Sequence, residues 1–129
     1  MNPDDARIAV NSGVDGIIVS NHGGRQLDAL VSPLRVLPAI VAAAEGRPVM
    51  IDSGFRRGTD ILKAIALGAK MVFIGRPFLY AAAIGGEAGV RHLTDLLKVE
   101  ISRDLALLGA MSPAELHETR QLKLRGELI

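Results

Sequence analysis

Residues 16–25 read Gly16-Ile17-Ile18-Val19-Ser20-Asn21-His22-Gly23-Gly24-Arg25, and the stretch runs on through Gln26 and Leu27 to Asp28. A short apolar run ends in a polar, glycine-rich loop. Apolar residues without alternation fit a strand buried on both faces, as in a parallel sheet covered by helices. The loop carries an acid/base group, His22, three residues from a fixed cation, Arg25, on backbone that two glycines make pliable. A guanidinium can hold a carboxylate in forked geometry, and an imidazole can move a proton near neutral pH.

The same pattern recurs downstream. Pro48 to Ile51 reads as a second strand, followed by Asp52-Ser53-Gly54-Phe55-Arg56-Arg57-Gly58-Thr59-Asp60. Met71 to Ile74 reads as a third, followed by Gly75-Arg76-Pro77. Helix signals fill the intervals. Asn2 can cap a first helix with Pro3 at its first position, and Gly13 stops it. Ser32-Pro33 opens a second helix through Leu34, Leu37, Ile40 and Val41, ended by Gly46. Thr59-Asp60 opens a third through Ile61, Leu62 and Ile65, ended by Gly68. Val90, Leu93, Leu97, Ile101, Leu105 and Leu108 recur at threes and fours, which predicts a long amphipathic helix from about Gly89 to Leu108, with Gly109 as terminator. Ser112-Pro113-Ala114-Glu115 reads as a capping box, and the charged tail after it as a short fraying helix.

Strands alternating with helices predict an α/β fold with parallel strands and right-handed crossovers. A (β/α)8 barrel uses roughly 31 residues per unit. Ser20 and Asp52 lie 32 residues apart, and Asp52 and Gly75 lie 23 apart, which suits such units. Three strands cannot close a barrel. The fold expected is therefore a partial TIM (β/α)8 barrel: three parallel β/α units plus a long helix, within one domain over residues 1–129.

Composition agrees with a buried parallel sheet. The chain is 49% hydrophobic but only 3% aromatic, with a mean hydropathy of +0.30. A net charge of +1, no basic block, one Tyr and no Trp argue against nucleic acid as a partner. With no Cys there is neither a disulfide framework nor a zinc–thiolate site, and no metal is expected. The N-terminus is polar and acidic, unlike a secretory leader, and no apolar run approaches the ~18 residues of a membrane span. The expected location is cytoplasmic.

All three loops sit where strands end, the face on which such folds place their sites. Gly54 and Gly58 let backbone approach a ligand or serve geometry alone, and N–H groups at the following helix start suit a phosphate. Arg56 and Arg57 add charge, one of them expected to be structural through Asp60 or another acid. Gly75 and Arg76 repeat the idea. Asp28 and Asp60 read as caps or ion-pair partners, His92 and His117 as solvated, Met71 and Phe73 as core.

Residues 20–28, 52–60 and 64–77 (AIALGAKMVFIGRP) resemble the FMN-dependent 2-hydroxy-acid oxidases and dehydrogenases, the family of glycolate oxidase, lactate dehydrogenase and mandelate dehydrogenase. The likeness runs from the first helix to about Gly109, and the first block is its most specific part. It implies FMN as cofactor and oxidation of a small 2-hydroxy acid to a 2-keto acid. It implies His22 as the base and Arg25 as the binder of substrate carboxylate. Ser20, Asp52, Ser53, Gly54, Phe55, Arg56, Gly75 and Arg76 would hold the flavin nucleotide, mostly at its phosphate end. Ser53 stands where many members have Gly, a change shared with mandelate dehydrogenase-like members. The resemblance also implies that these are the last three units of the barrel, the C-terminal part of such an enzyme. The first strands, the substrate-contacting tyrosines, an Asp that orients the base and a strand-end Lys belong to an N-terminal part. Two open sheet edges would then favour homo-oligomers, and FMN would bind weakly without that part. A non-catalytic fragment that binds FMN or phosphate, or an inactive remnant, is the alternative.

Overall fold

The structure, a computed structural model, describes residues 1–117. The first helix, α1 (Pro3–Asn11), starts as its sequence dictates. The Asn2 side chain accepts from the Asp4 N–H at 3.0 Å, and Asp4 and Asp5 lie at the positive end of the helix. Strand β1 (Ile17–Val19) follows, then helix α2 (Pro33–Ala43), strand β2 (Val49–Ile51), helix α3 (Gly58–Ala66), strand β3 (Met71–Val72) and helix α4 (Arg76–Leu108). A 3-10 turn at Pro113–His117 ends the described chain. There Glu115 accepts from the Met111 N–H at 2.9 Å and from the Ser112 hydroxyl at 3.2 Å, so the expected reciprocal cap is anchored one residue early. The fraying helix expected after it lies outside the described residues.

The sheet is parallel throughout, in the order β1-β2-β3, so consecutive units are neighbours. Register pairs Val19 with Ile51 and Ile51 with Val72, and these side chains point at the helices. Val19, Val49 and Ile51 are buried against Leu37, Ile40, Ala43 and Ala44 around α2, with Phe55, Ala64 and Ala69 completing the core. Side chains alternate across a strand, so the next row, Ile18–Met50–Met71, points the opposite way. Ile18 is 53% exposed and Met71 52%. The sheet thus has one face packed by helices and one open apolar face.

That open face corrects two expectations. Met71 is not core, because it belongs to the open row on the edge strand β3. Phe73 is 42% exposed, because it follows the strand and lines the cleft described below.

The last helix begins well before the expected Gly89. It starts at Arg76 and is broken at Gly86, whose backbone is left-handed in φ (54°). The amphipathic stripe from Val90 onward marks only the part after the break. Leu79, Tyr80 and Ile84 in the first part are exposed, so no buried stripe announced a helix there. The second part packs on α3, where Leu62, Leu105, Ala110 and Leu116 form a second buried cluster. His92 is exposed as expected, but His117 is half-buried, because the turn that carries it packs on α3. Among the described residues no helix is long and apolar enough to cross a membrane.

Candidate active site

Parallel strands bring their C-terminal ends to one rim, and the three loops meet there. In the first, a short 3-10 turn spans His22–Gly24. The Ser20 hydroxyl accepts from the His22 N–H at 3.0 Å, and the Gly24 N–H donates to the Asn21 carbonyl at 3.0 Å. His22 itself takes a left-handed φ of 56°, a conformation uncommon outside glycine and one that concentrates at functional sites. Its side chain is exposed.

The second loop is tied to the first. Asp52 N–H donates to the Val19 carbonyl at 3.1 Å. The Ser53 hydroxyl donates to Asp52 Oδ1 at 2.5 Å and accepts from the Gly23 N–H at 3.0 Å. From the third loop, Arg76 Nη2 donates to the Gly23 carbonyl at 3.4 Å. The residue next to His22 is therefore held by both of the units that follow it.

A cleft of about 270 Å³ opens between the loops. It is lined by His22, Arg25, Asp52, Ser53, Gly54, Phe55, Arg56, Gly75 and Arg76. The structure thus brings together all the expected site residues except Ser20, which sits behind the cleft and supports the His22 turn. Phe55 lines the cleft while belonging to the buried core. Sequence reasoning missed Phe73, Pro77 and Leu79, which supply the apolar part of the wall. The proximity of Phe73 and Leu79 to the third loop was the only signal for them.

The electrostatics favour an anion. Three arginines and a single carboxylate line the cleft. Among the described residues, the side chains of His22, Arg25 and Arg56 have no hydrogen-bond or ion-pair partner. The backbone N–H groups of Gly54, Phe55, Gly75 and Arg76 likewise donate to no described residue. A Cβ built on Gly54 or Gly75 would meet nothing within 4 Å, so space beside both is open. Free donors, fixed positive charge and open backbone are what a phosphate needs.

One expectation is overturned. The start of α3 is not the free anion site its sequence suggests. Asp60 Oδ2 accepts from the Arg56 and Arg57 N–H groups, each at 3.1 Å, and Glu100 Oε2 accepts from the Gly58 N–H at 2.7 Å. Protein carboxylates thus occupy most of that helix end. Glu100 also pairs with Arg57 Nε at 2.8 Å, which makes Arg57 the structural member of the arginine pair. Gly58 serves packing: a Cβ there would fall 2.6 Å from Glu100 Cβ and 2.8 Å from the Ile101 nitrogen. Glu100 left no signal in sequence, because a lone acid within an amphipathic helix reads as solvated surface.

Fold and rim together define a segment of a β/α barrel with a cleft at its strand ends lined by three arginines and one carboxylate. Residues 1–123 match the FMN-dependent dehydrogenase family, and the chain belongs to it; FMN is the cofactor of that family. It is 49% identical over 126 residues to an L-lactate dehydrogenase of Ectopseudomonas mendocina, covering 97% of this chain and 33% of that protein. It is 56% identical over 113 residues to glycolate oxidase 2 of Oryza sativa subsp. indica, covering 87% of this chain and 31% of that protein. A solved structure of a soluble mutant of the membrane-associated (S)-mandelate dehydrogenase from Pseudomonas putida superposes with a TM-score of 0.86 at 51% identity, covering 89% of this chain and 33% of that chain. The chain spans about a third of the length of the curated relatives it matches.

Proposed function

We propose that this chain contributes the base, the carboxylate anchor and the phosphate site for FMN-dependent oxidation of a small 2-hydroxy acid to a 2-keto acid. The observation that carries the reading is the shared cleft. His22 and Arg25 side chains, unpartnered among the described residues, meet the Arg56 and Arg76 guanidinium groups there, beside four backbone N–H groups that donate to no described residue.

Arg25 has forked donors and a permanent charge, so it can grip a carboxylate at two oxygens and fix the carbon beside it. An imidazole nitrogen of His22 accepts a proton from the substrate, either from the α-carbon or from the hydroxyl. Imidazole is the side chain suited by its chemistry to proton transfer near neutral pH. His22 combines a left-handed backbone with exposure at the edge of the cleft. Arg56, Arg76 and the N–H groups of Gly54, Phe55, Gly75 and Arg76 would hold the FMN phosphate, with Asp52, Ser53 and Ser20 shaping the loops around it. Bound FMN would supply the two-electron acceptor. Glycolate, lactate and mandelate, named for the relatives, are the substrate candidates. A cytoplasmic location and homo-oligomeric assembly belong to the same proposal.

A chimera tests it. The chain replaces the matching third of the E. mendocina L-lactate dehydrogenase, and glycolate, L-lactate or mandelate is added without oxygen. Loss of the oxidised-flavin absorbance with at least one of them is the expected result. A second reading, FMN or phosphate binding without catalysis, is favoured by the donor set of the cleft, whose arginines and backbone N–H groups suit an anion whether or not a base acts beside it. Retained FMN with no bleaching by any 2-hydroxy acid would establish that reading instead.

A further inference from the structure

We propose that Ser53 is a positioning residue whose hydroxyl latches the His22 turn to the end of β2 and is thereby withdrawn from the flavin phosphate. The inference rests on the reading of His22 as the base.

Ser53 takes a φ of +78°, a left-handed conformation that glycine adopts freely and a side chain disfavours. The backbone alone would therefore prefer glycine at this position. What the side chain adds is visible in its bonds. A serine hydroxyl has one hydrogen and two lone pairs. Here the hydrogen goes to Asp52 Oδ1 at 2.5 Å, and one lone pair receives the Gly23 N–H at 3.0 Å. The carboxylate polarises the hydroxyl and makes its oxygen a better acceptor for the amide. Asp52 is itself tied to β1 through its N–H on the Val19 carbonyl. The chain of bonds thus runs from the first strand, through Asp52 and Ser53, back to the residue beside His22. With its only hydrogen committed to Asp52, the Ser53 hydroxyl cannot donate to a phosphate oxygen at the same time. Gly23 is half-buried, so loss of the hydroxyl leaves its N–H with restricted access to water as a substitute. Without the latch the turn keeps its internal bonds from the Gly24 and Arg25 N–H groups, the Ser20 hydroxyl on the His22 N–H, and the long Arg76 contact on the Gly23 carbonyl, and of these the Arg76 contact alone reaches another strand-end loop.

Two variants separate positioning from plain stability, because they move the two in opposite directions. Ser53→Gly relaxes the backbone and removes the hydroxyl. Ser53→Thr keeps the hydroxyl and adds a branched side chain to a left-handed residue, which strains it further. Amide order parameters are measured on the full chain by NMR. For His22 and Gly23 they should lie near the rigid value of about 0.85 in the native protein and the Thr variant, and fall below about 0.6 in the Gly variant. In the chimera described above, Ser53→Gly should slow flavin reduction at least tenfold, with FMN affinity within threefold, and Ser53→Thr should restore most of the rate. Unchanged order parameters in the Gly variant, or a rate that follows melting temperature instead of the hydroxyl, would overturn the proposal. A native chimera that never reduces flavin would strike the catalytic reading instead, and the order parameters would still decide whether the latch exists.

Discussion

The backbone N–H of Gly23 donates to the Ser53 hydroxyl at 3.0 Å across 30 residues of sequence. On its other side the Gly23 carbonyl receives Arg76 Nη2. Three strand-end loops are joined through the neighbour of one histidine.

Gly23→Ala should disturb that junction directly. The residue has a φ of +66°, and a Cβ there would lie 3.4 Å from Arg76 Nη2. A side chain in the left-handed region costs roughly 1–2 kcal/mol. Urea denaturation should show a loss of that size, and FMN binding should weaken as Arg76 is displaced.

Arg56 and Arg57 are adjacent but should behave differently. Arg56 lines the cleft with no side-chain partner among the described residues, whereas Arg57 is bonded to Glu100 outside it. Arg56→Ala should weaken FMN binding about tenfold or more, consistent with loss of a charge-assisted phosphate contact. Arg57→Ala should leave it within about threefold, given the modest worth of a largely exposed pair. Fluorescence titration of FMN against both variants checks this.

Glu100 should matter to stability more than its surface-like sequence context suggests. Glu100→Ala orphans the Gly58 N–H and should cost about 1–3 kcal/mol in urea denaturation. Glu100→Gln keeps an acceptor for that N–H and loses mainly the pair with the well-exposed Arg57, so it should cost less than about 1 kcal/mol. Gly58→Ala should be destabilising by roughly 1–3 kcal/mol, because the new methyl group drives α3 from α4.

The open sheet face should make the isolated chain self-associate. Ile18, Met50 and Met71 form one row there. Replacing Ile18 and Met71 by Lys should lower binding of an apolar-surface dye and shift sedimentation toward the monomer. Equal dye binding and an unchanged sedimentation profile in the double variant would show that this row is not the sticky surface.

Much of the fold was legible because each element carries its own punctuation. Asn2-Pro3 announced a helix start, and the apolar run Ile17–Val19 before a polar loop announced a strand end. The rim was legible for the same reason, since parallel strands carry their following loops to one end. What stayed hidden depends on long-range contacts. Glu100 reaches α3 from 42 residues away, and no local pattern marks it. The exposure of Met71 and Phe73 depends on which strand ends the sheet and which face is covered, whereas their own letters say only apolar. The helix from Arg76 to Gly86 lacks a buried stripe, so periodicity could not find it.

The central claim is that His22 acts on a substrate held beside FMN at this rim, and single-turnover flavin reduction tests it most directly. In the chimera, His22→Ala should slow reduction of bound FMN by a 2-hydroxy acid about 100-fold or more while FMN stays bound, the loss expected when a general base is removed. Reduction within threefold of the unsubstituted chimera, at equal FMN occupancy, would contradict the account.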